Sequence, residues 1–299
     1  VSMKGFIGSS RSYMIAATAA KTAGVHLVIS RNREEAAYLQ NDLEAILEGK
    51  MPVLYYPASF KIPYTDEGTD NANVAMRSEV MQALKNHDNL VLVSFHEALS
   101  EHVVSRSEFA RHSITVSRGE AYDMDMMNDQ LIDMHFEKVD YVFEPGQFSI
   151  RGGIVDIFSF VNERPYRVEL FGEEVESIRE FDPVTQLSDK KMDRLTILPD
   201  VGSSEIVEMR ESFMEHIPDQ GIIWFEDINE SLDGIDKVME KVQKAYKKLK
   251  SPLDHAAPEK LFHSAADYMK RIESFRKVTL AGEPIEKAHI IQASQSPQP

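Results

Sequence analysis

In the first hundred residues, short apolar runs alternate with segments of helical spacing. VHLVIS (25–30) precedes RNREEAAYLQNDLEAIL (31–47), whose apolar positions recur every three or four residues, and NLVLVS (89–94) precedes FHEALSEHVV (95–104), also read as helical. Strand–helix alternation of this kind predicts a parallel α/β layer. Between the two pairs, YYPASFKIPYTDEGTDNANVA (55–75) is rich in Pro, Gly, Asp and Asn and predicts a long loop. From about residue 112 the pattern changes. A helix over MDMMNDQLIDMHF is followed by three closely spaced strands, 147–158, 165–171 and 175–181, with FGEE as a tight hairpin between the last two. This is an α+β module with an antiparallel sheet. Helices return after LTILPD (195–200), around the apolar strand GIIWFED (221–227), and SLDGIDKVMEKVQKAYKKLK reads as a helix whose lysines form a solvated face complementing its dipole.

The strand EPGQFSIRGGIVDIF (144–158) begins with strict alternation and then breaks it. Phe148 and Ile150 point one way, and Gln147, Ser149 and Arg151 the other. In PYRVELF the residues Tyr166, Val168 and Leu170 share a face opposite Arg167, Glu169 and Phe171; in VESIRE, Ile178 opposes Ser177 and Arg179. With the apolar faces forming a core, the outer face carries Arg151, Arg167, Arg179, Glu169 and an exposed Phe171. An aromatic beside arginines is the composition of an interface hot spot, although a salt-bridged surface with Phe171 partly covered by a loop has the same pattern. Gly152 and Gly153 suit a bulge or sharp bend. IVDIF beyond them is apolar on both faces apart from Asp156, as for a strand entering a buried junction.

The 299 residues exceed what one core usually organises, so two or three domains are expected. The absence of cysteine excludes a disulfide framework and thiolate metal sites and fits a reducing cytoplasm. No apolar run approaches the roughly 20 residues that span a bilayer, and the ends read as those of a fragment of something longer. A net charge of −16 opposes a general DNA-coating role.

GFIGSSRS (5–12) lies on the G-x-x-x-x-G-K-[ST] phosphate-loop frame: Gly5 starts it, Ser10 takes the second glycine, Arg11 the lysine and Ser12 the magnesium-ligand position. Arginine's planar fork does not replace the lysine's compact charge, and serine does not free the backbone as glycine does. A serine-capped strand-to-helix turn, or a decayed nucleotide site, is expected. Glu226 and Asp227 end an apolar strand as a Walker-B acid would. His96 and His102, six apart, do not share a helix face and are not read as zinc ligands. No catalytic or metal-binding set stands out.

The segments RGGIVDIF and FGEEVESIREFDPVTQ resemble the signature shared by the excision-repair protein UvrB and the transcription-repair coupling factor (Mfd) family. The degenerate GFIGSSRS falls where UvrB carries an intact Walker A, and the 51–80 segment is short for UvrB's damage-probing hairpin while keeping Tyr55, Tyr56 and Tyr64. Both departures favour the N-terminal UvrB-homology region of the coupling factors. The resemblance implies a degenerate RecA-like α/β unit formed by 1–110 and 200–299, with an inserted α+β domain over 111–199. It implies a non-catalytic, monomeric, cytoplasmic module that recruits UvrA through Arg151, Arg167 and Phe171, with Glu169 and Arg179 on the same face. It implies no cofactor for this stretch. ATP, magnesium, RNA polymerase and duplex DNA belong to other parts of the parent, an ATP-driven translocase. The alternative is a functional UvrB-like ATPase that binds damaged DNA.

Overall fold

The computed structural model describes residues 1–4, 8–59, 64, 71–105, 113–159, 162, 164–197, 210–249, 255–281 and 290–292. The chain divides into two units, one of Val1–Val103 with Arg210–Pro299 and the other of Val104–Met209.

The first unit is built on a seven-stranded sheet in the order Ile290–Gln292, Ser2–Lys4, Arg276–Thr279, Ile222–Phe225, Val25–Ser30, Leu90–Phe95, Val53–Tyr55. Every neighbouring pair is parallel. Three strands, Val25–Ser30, Leu90–Phe95 and Ile222–Phe225, are buried at every position. Such runs can pack only where helices cover both faces of a sheet. Ile222–Phe225 pairs with Val25–Ser30, so segments far apart in the chain complete one core. Helix Arg33–Leu47 starts where Asn32 accepts the Glu35 N–H at 2.9 Å, and helix Ile228–Tyr246 where Asp227 accepts from Asn229 and Glu230.

Two expectations for this unit need correction. Helix Asn71–Asn86 takes in the end of the stretch expected to be loop, while residues 60–63 and 65–70 lie outside the described residues. FHEALSEHVV is helical only over His96–Ser100, and His102–Val104 is a strand, where its paired β-branched valines are at home.

In the second unit the six-stranded sheet runs Ser188–Met192, Glu174–Phe181, Tyr166–Phe171, Ile154–Phe158, Gln147–Arg151, Glu137–Lys138. All neighbours are antiparallel except the last pair. The inward residues follow the alternation: Phe148, Val155, Ile157, Tyr166, Val168, Leu170 and Ile178 are buried together with Met127 and Leu131 of helix Met124–Asp133. The pair Ile114–Ser117 and Arg194–Ile197 adds Ile114, Val116, Leu195 and Ile197 to this core.

The glycine pair is the sharp bend of the two expected alternatives, not a bulge, and it reverses the strand within the sheet instead of leading it into a junction. Gln147–Arg151 and Ile154–Phe158 pair antiparallel, with Arg151 opposite Ile154, so Gly152 and Gly153 are a complete two-residue hairpin turn. Gly152 takes φ 58°, and a Cβ on Gly153 would lie 2.6 Å from the Leu170 carbonyl oxygen. The Leu170 N–H donates to the Gly153 carbonyl at 2.7 Å, so there is no room to retreat. The reversal returns Asp156 to the outer face, opposite Ser149 on one side and Arg167 on the other.

Four histidines in the first unit are held neutral. Burial pushes down the pKa values of His26, His96, His102 and His263, the last to about 3 with the His102 ring and Arg271 adding to the effect. Arg210 and Arg271 face the His102–His263 pair, and Asp267 partly offsets them. A lowered folded-state value means that the unfolded chain binds more protons below about pH 6.5, so stability is full above that pH and falls as pH drops. Thermal melts between pH 7.5 and 5.5 are expected to show a falling midpoint, with up to about 1.4 kcal/mol lost per pH unit for each histidine that protonates on unfolding. The slope is expected to be shallower in His263→Asn. A midpoint independent of pH in this window contradicts the neutral cluster.

Candidate functional site

The outer face of the six-stranded sheet is organised by one carboxylate. Asp156 is fully buried, and its two oxygens receive three donors. Arg167 is bidentate, with Nε to Oδ1 at 2.7 Å and Nη2 to Oδ2 at 2.9 Å, and Arg151 Nη2 donates to Oδ2 at 2.5 Å. A planar guanidinium matches a carboxylate in this two-point way, which fixes direction as well as distance. The Asp156 hydrogen bond raises the Arg167 pKa further. Arg151 also donates to the Asp140 carbonyl and lies over the Tyr141 ring, with Cζ 4.6 Å from its centroid. Arg167 lies over Phe181 at the same distance.

The remaining expected members take their places around this centre. Arg179 is ion-paired with Glu169, and the Ser177 hydroxyl donates to the same carboxylate at 2.7 Å. First the Ser177 hydroxyl and then Arg179 hold the Glu169 carboxyl below the usual range. Phe171 stands at the end of its strand, 83% exposed. The structure therefore brings Arg151 and Arg167 together on one anion, sets Glu169 with Arg179, and leaves Phe171 uncovered.

The period-two pattern alone does not reveal the cover over this face. Segment 139–143 lies along it: Val142 packs with Phe158 and Phe181 in a small second apolar cluster, with Val139 against it. Loop 182–187 meets that segment, because Gln186 donates to the Val142 carbonyl and accepts from Arg167, each at 3.4 Å. The one signal available was Asp156 itself, a lone charge in an otherwise apolar strand. Once the glycines are read as a hairpin turn, that charge falls beside Arg151 and Arg167.

The phosphate-loop positions have separate internal partners. Gly5 lies outside the described residues, and Ser10 is exposed at the first position of helix Ser10–Ala19. Arg11 is ion-paired with Glu226, to which Arg31 also points at 3.8 Å. Ser12 is buried and donates to Asp42 Oδ2 at 2.8 Å. The turn is not serine-capped as expected: Ser9 occupies the N-cap position in an α conformation and makes no side-chain cap bond. Glu226 is thus a partner for arginine, and Asp227 caps the next helix. His102 contacts the His263 ring at 3.0 Å, and among the described residues no group of three or more His, Asp or Glu is placed to hold a metal ion. Tyr56 is fully buried and stacks on Phe213 at 3.9 Å, while the Tyr64 hydroxyl donates to the Ala256 carbonyl and its ring packs on Tyr246. Both rings serve the packing of the first unit. Tyr55, the third of these rings, lies at the end of the edge strand Val53–Tyr55 and stacks on Phe95.

Residues 114–201 match the UvrB interaction domain, a span that contains every residue of the outer face. The transcription-repair-coupling factor of Bacillus subtilis is 30% identical over 197 residues, which are 66% of this chain and 17% of that protein. Over about two thirds of its length the chain is similar to a part of the transcription-repair-coupling factors. The Myxococcus xanthus coupling factor is 28% identical over 205 residues, covering 67% of this chain and 17% of its own length. The UvrABC system protein B of Oleidesulfovibrio alaskensis is 26% identical over 215 residues, 68% of this chain and 30% of that protein. The chain therefore spans less than a third of the length of these relatives. Among the described residues no helix is long and apolar enough to cross a membrane.

Removing the shared carboxylate leaves two guanidinium groups turned toward a site that has lost its bonded anion. Breaking a buried pair by deleting one partner costs about 3–5 kcal/mol. Asp156→Ala is expected to destabilise the second unit by at least about 3 kcal/mol in urea denaturation. A loss below about 0.5 kcal/mol, the range of an ordinary surface substitution, contradicts the central role of Asp156.

Proposed function

We propose that this chain is a non-catalytic, UvrB-like module of a transcription-repair coupling factor, which recruits UvrA for nucleotide excision repair at stalled RNA polymerase. The observation that carries the reading is the match of residues 114–201 to the UvrB interaction domain, together with an outer face on which Arg151 and Arg167 are fixed beside an uncovered Phe171. In this reading Phe171, Arg151 and Arg167 contact UvrA, and Glu169 with Arg179 sets the neighbouring edge. Hot-spot residues of protein interfaces are enriched in arginine and aromatics whose geometry is fixed before binding.

The first unit is read as a degenerate RecA-like domain assembled from both ends of the chain. Its all-parallel seven-stranded sheet supports that reading. The non-catalytic assignment is supported by the phosphate-loop positions, where Arg11 is ion-paired with Glu226 and Ser12 is bonded to Asp42. An ATP phosphate would have to displace a carboxylate of the chain's own from Arg11. In this proposal ATP, magnesium, RNA polymerase and duplex DNA are engaged by parts of a longer parent protein. The module itself acts as a monomer in the cytoplasm.

Two measurements test the proposal. Titration of UvrA into the chain is expected to show binding that Phe171→Ala weakens by about 2 kcal/mol, a hot-spot magnitude. Arg151→Ala is expected to weaken binding comparably. Calorimetric titration with ATP and magnesium is expected to give no heat of binding. Micromolar ATP binding that is lost in Arg11→Ala would instead support a working UvrB-like nucleotide site.

A further inference from the structure

We infer that the docking face continues past Arg151, Arg167 and Phe171 onto an apolar strip formed by Tyr141, Phe143, Val184 and Leu187, and that this strip takes an apolar surface of the same protein partner. The inference rests on the proposed function.

Exposed large apolar side chains are concentrated around this sheet. Phe171 and Val184 are each 83% exposed, Leu187 70%, Tyr141 55% and Phe143 54%. Single exposed apolar residues are ordinary, but several around one face mark an interaction surface. The strip is also held in shape. Asp182 Oδ1 accepts from the N–H groups of Val184 and Thr185 and from the Thr185 hydroxyl. Gln186 adopts φ 61°, and its side chain donates to the Pro183 and Val142 carbonyls. Arg167, already fixed on Asp156, donates to the Gln186 carbonyl. The loop that presents Val184 and Leu187 is thus tied to the same guanidinium that organises the rest of the face. On the other flank, Gln147 Oε1 accepts the N–H groups of Phe143 and Glu144, and Tyr141 lies under Arg151.

Charge selects the kind of partner. Arg151 and Arg167 share Asp156, Arg179 pairs with Glu169, and Arg164 lies among Asp189, Glu180 and Asp182. The arginines of the face are answered by its own carboxylates, in a chain of net charge −16. A nucleic acid or acidic peptide would find little unbalanced positive charge here, whereas a protein surface with apolar side chains would find several in fixed positions. The strip is continuous with the proposed contact residues through Arg151–Tyr141 and Arg167–Gln186, so one partner can cover both.

The test is UvrA affinity of the full 299-residue chain carrying Val184→Asp with Leu187→Asp, measured beside the unaltered chain and Phe171→Ala at 0.1 and 0.5 M NaCl. Both side chains are exposed, so an unchanged melting temperature is expected and serves as the folding control. The expected result is at least a tenfold weaker dissociation constant for the double variant at both salt concentrations. Unaltered affinity in the double variant, with Phe171→Ala still weakened, overturns the strip while leaving the proposed function standing. Self-association of the unaltered chain that the double variant loses, with UvrA affinity unchanged, assigns the strip to a second copy and also overturns the inference. Absence of UvrA binding by the unaltered chain overturns the proposed function and the strip together.

Discussion

The second unit's surface depends on a single buried carboxylate. Asp156 lies in the middle of an antiparallel sheet, on the face turned away from the main core, and receives a two-point contact from Arg167 and a third donor from Arg151. A buried carboxylate without partners costs several kcal/mol, and so do two arginines without their anion. Each therefore requires the others. The same arrangement extends outward: Arg167 holds Gln186 and with it loop 182–187, and Arg151 holds Tyr141 and the Asp140 carbonyl. A face that carries three arginines in sequence becomes an ion-paired, rigid platform with apolar side chains at its margins.

The corresponding positions of the first unit follow the same logic. Arg11 stands where a phosphate-binding lysine would, and the chain supplies it with Glu226. Ser12 stands where a magnesium-ligand hydroxyl would, and it donates to Asp42. In both units arginines are answered by internal carboxylates, which accords with the docking role proposed for the chain. Ligand chemistry would need charge left over.

Much of this was legible in the sequence where one periodicity dominated. The short, mainly apolar runs at 25–30, 89–94 and 221–227 read as strands of a covered sheet, and period-two alternation placed Tyr166, Val168 and Leu170 inside and Arg167 and Glu169 outside. The glycine pair leaves a bulge and a sharp bend both open in sequence, because the two use the same residues. Only the antiparallel pairing of the flanking strands, with Arg151 opposite Ile154, separates them, and that is a tertiary fact. Asp156 has no assigned partner in the sequence reading as a consequence. Its role depends on register across three strands, which no local pattern encodes. His102–Val104 was drawn into the preceding helix because the helical run continues smoothly through Ser100, and tertiary context decided the boundary.

The central claim is that the partner covers the outer face of the second unit. Hydrogen–deuterium exchange of the chain with and without saturating UvrA tests it most directly. Added protection is expected over residues 140–151, 167–171 and 182–187, with little change elsewhere. Protection instead centred on the lysine-bearing stretch 241–249, with the outer face unchanged, would contradict it.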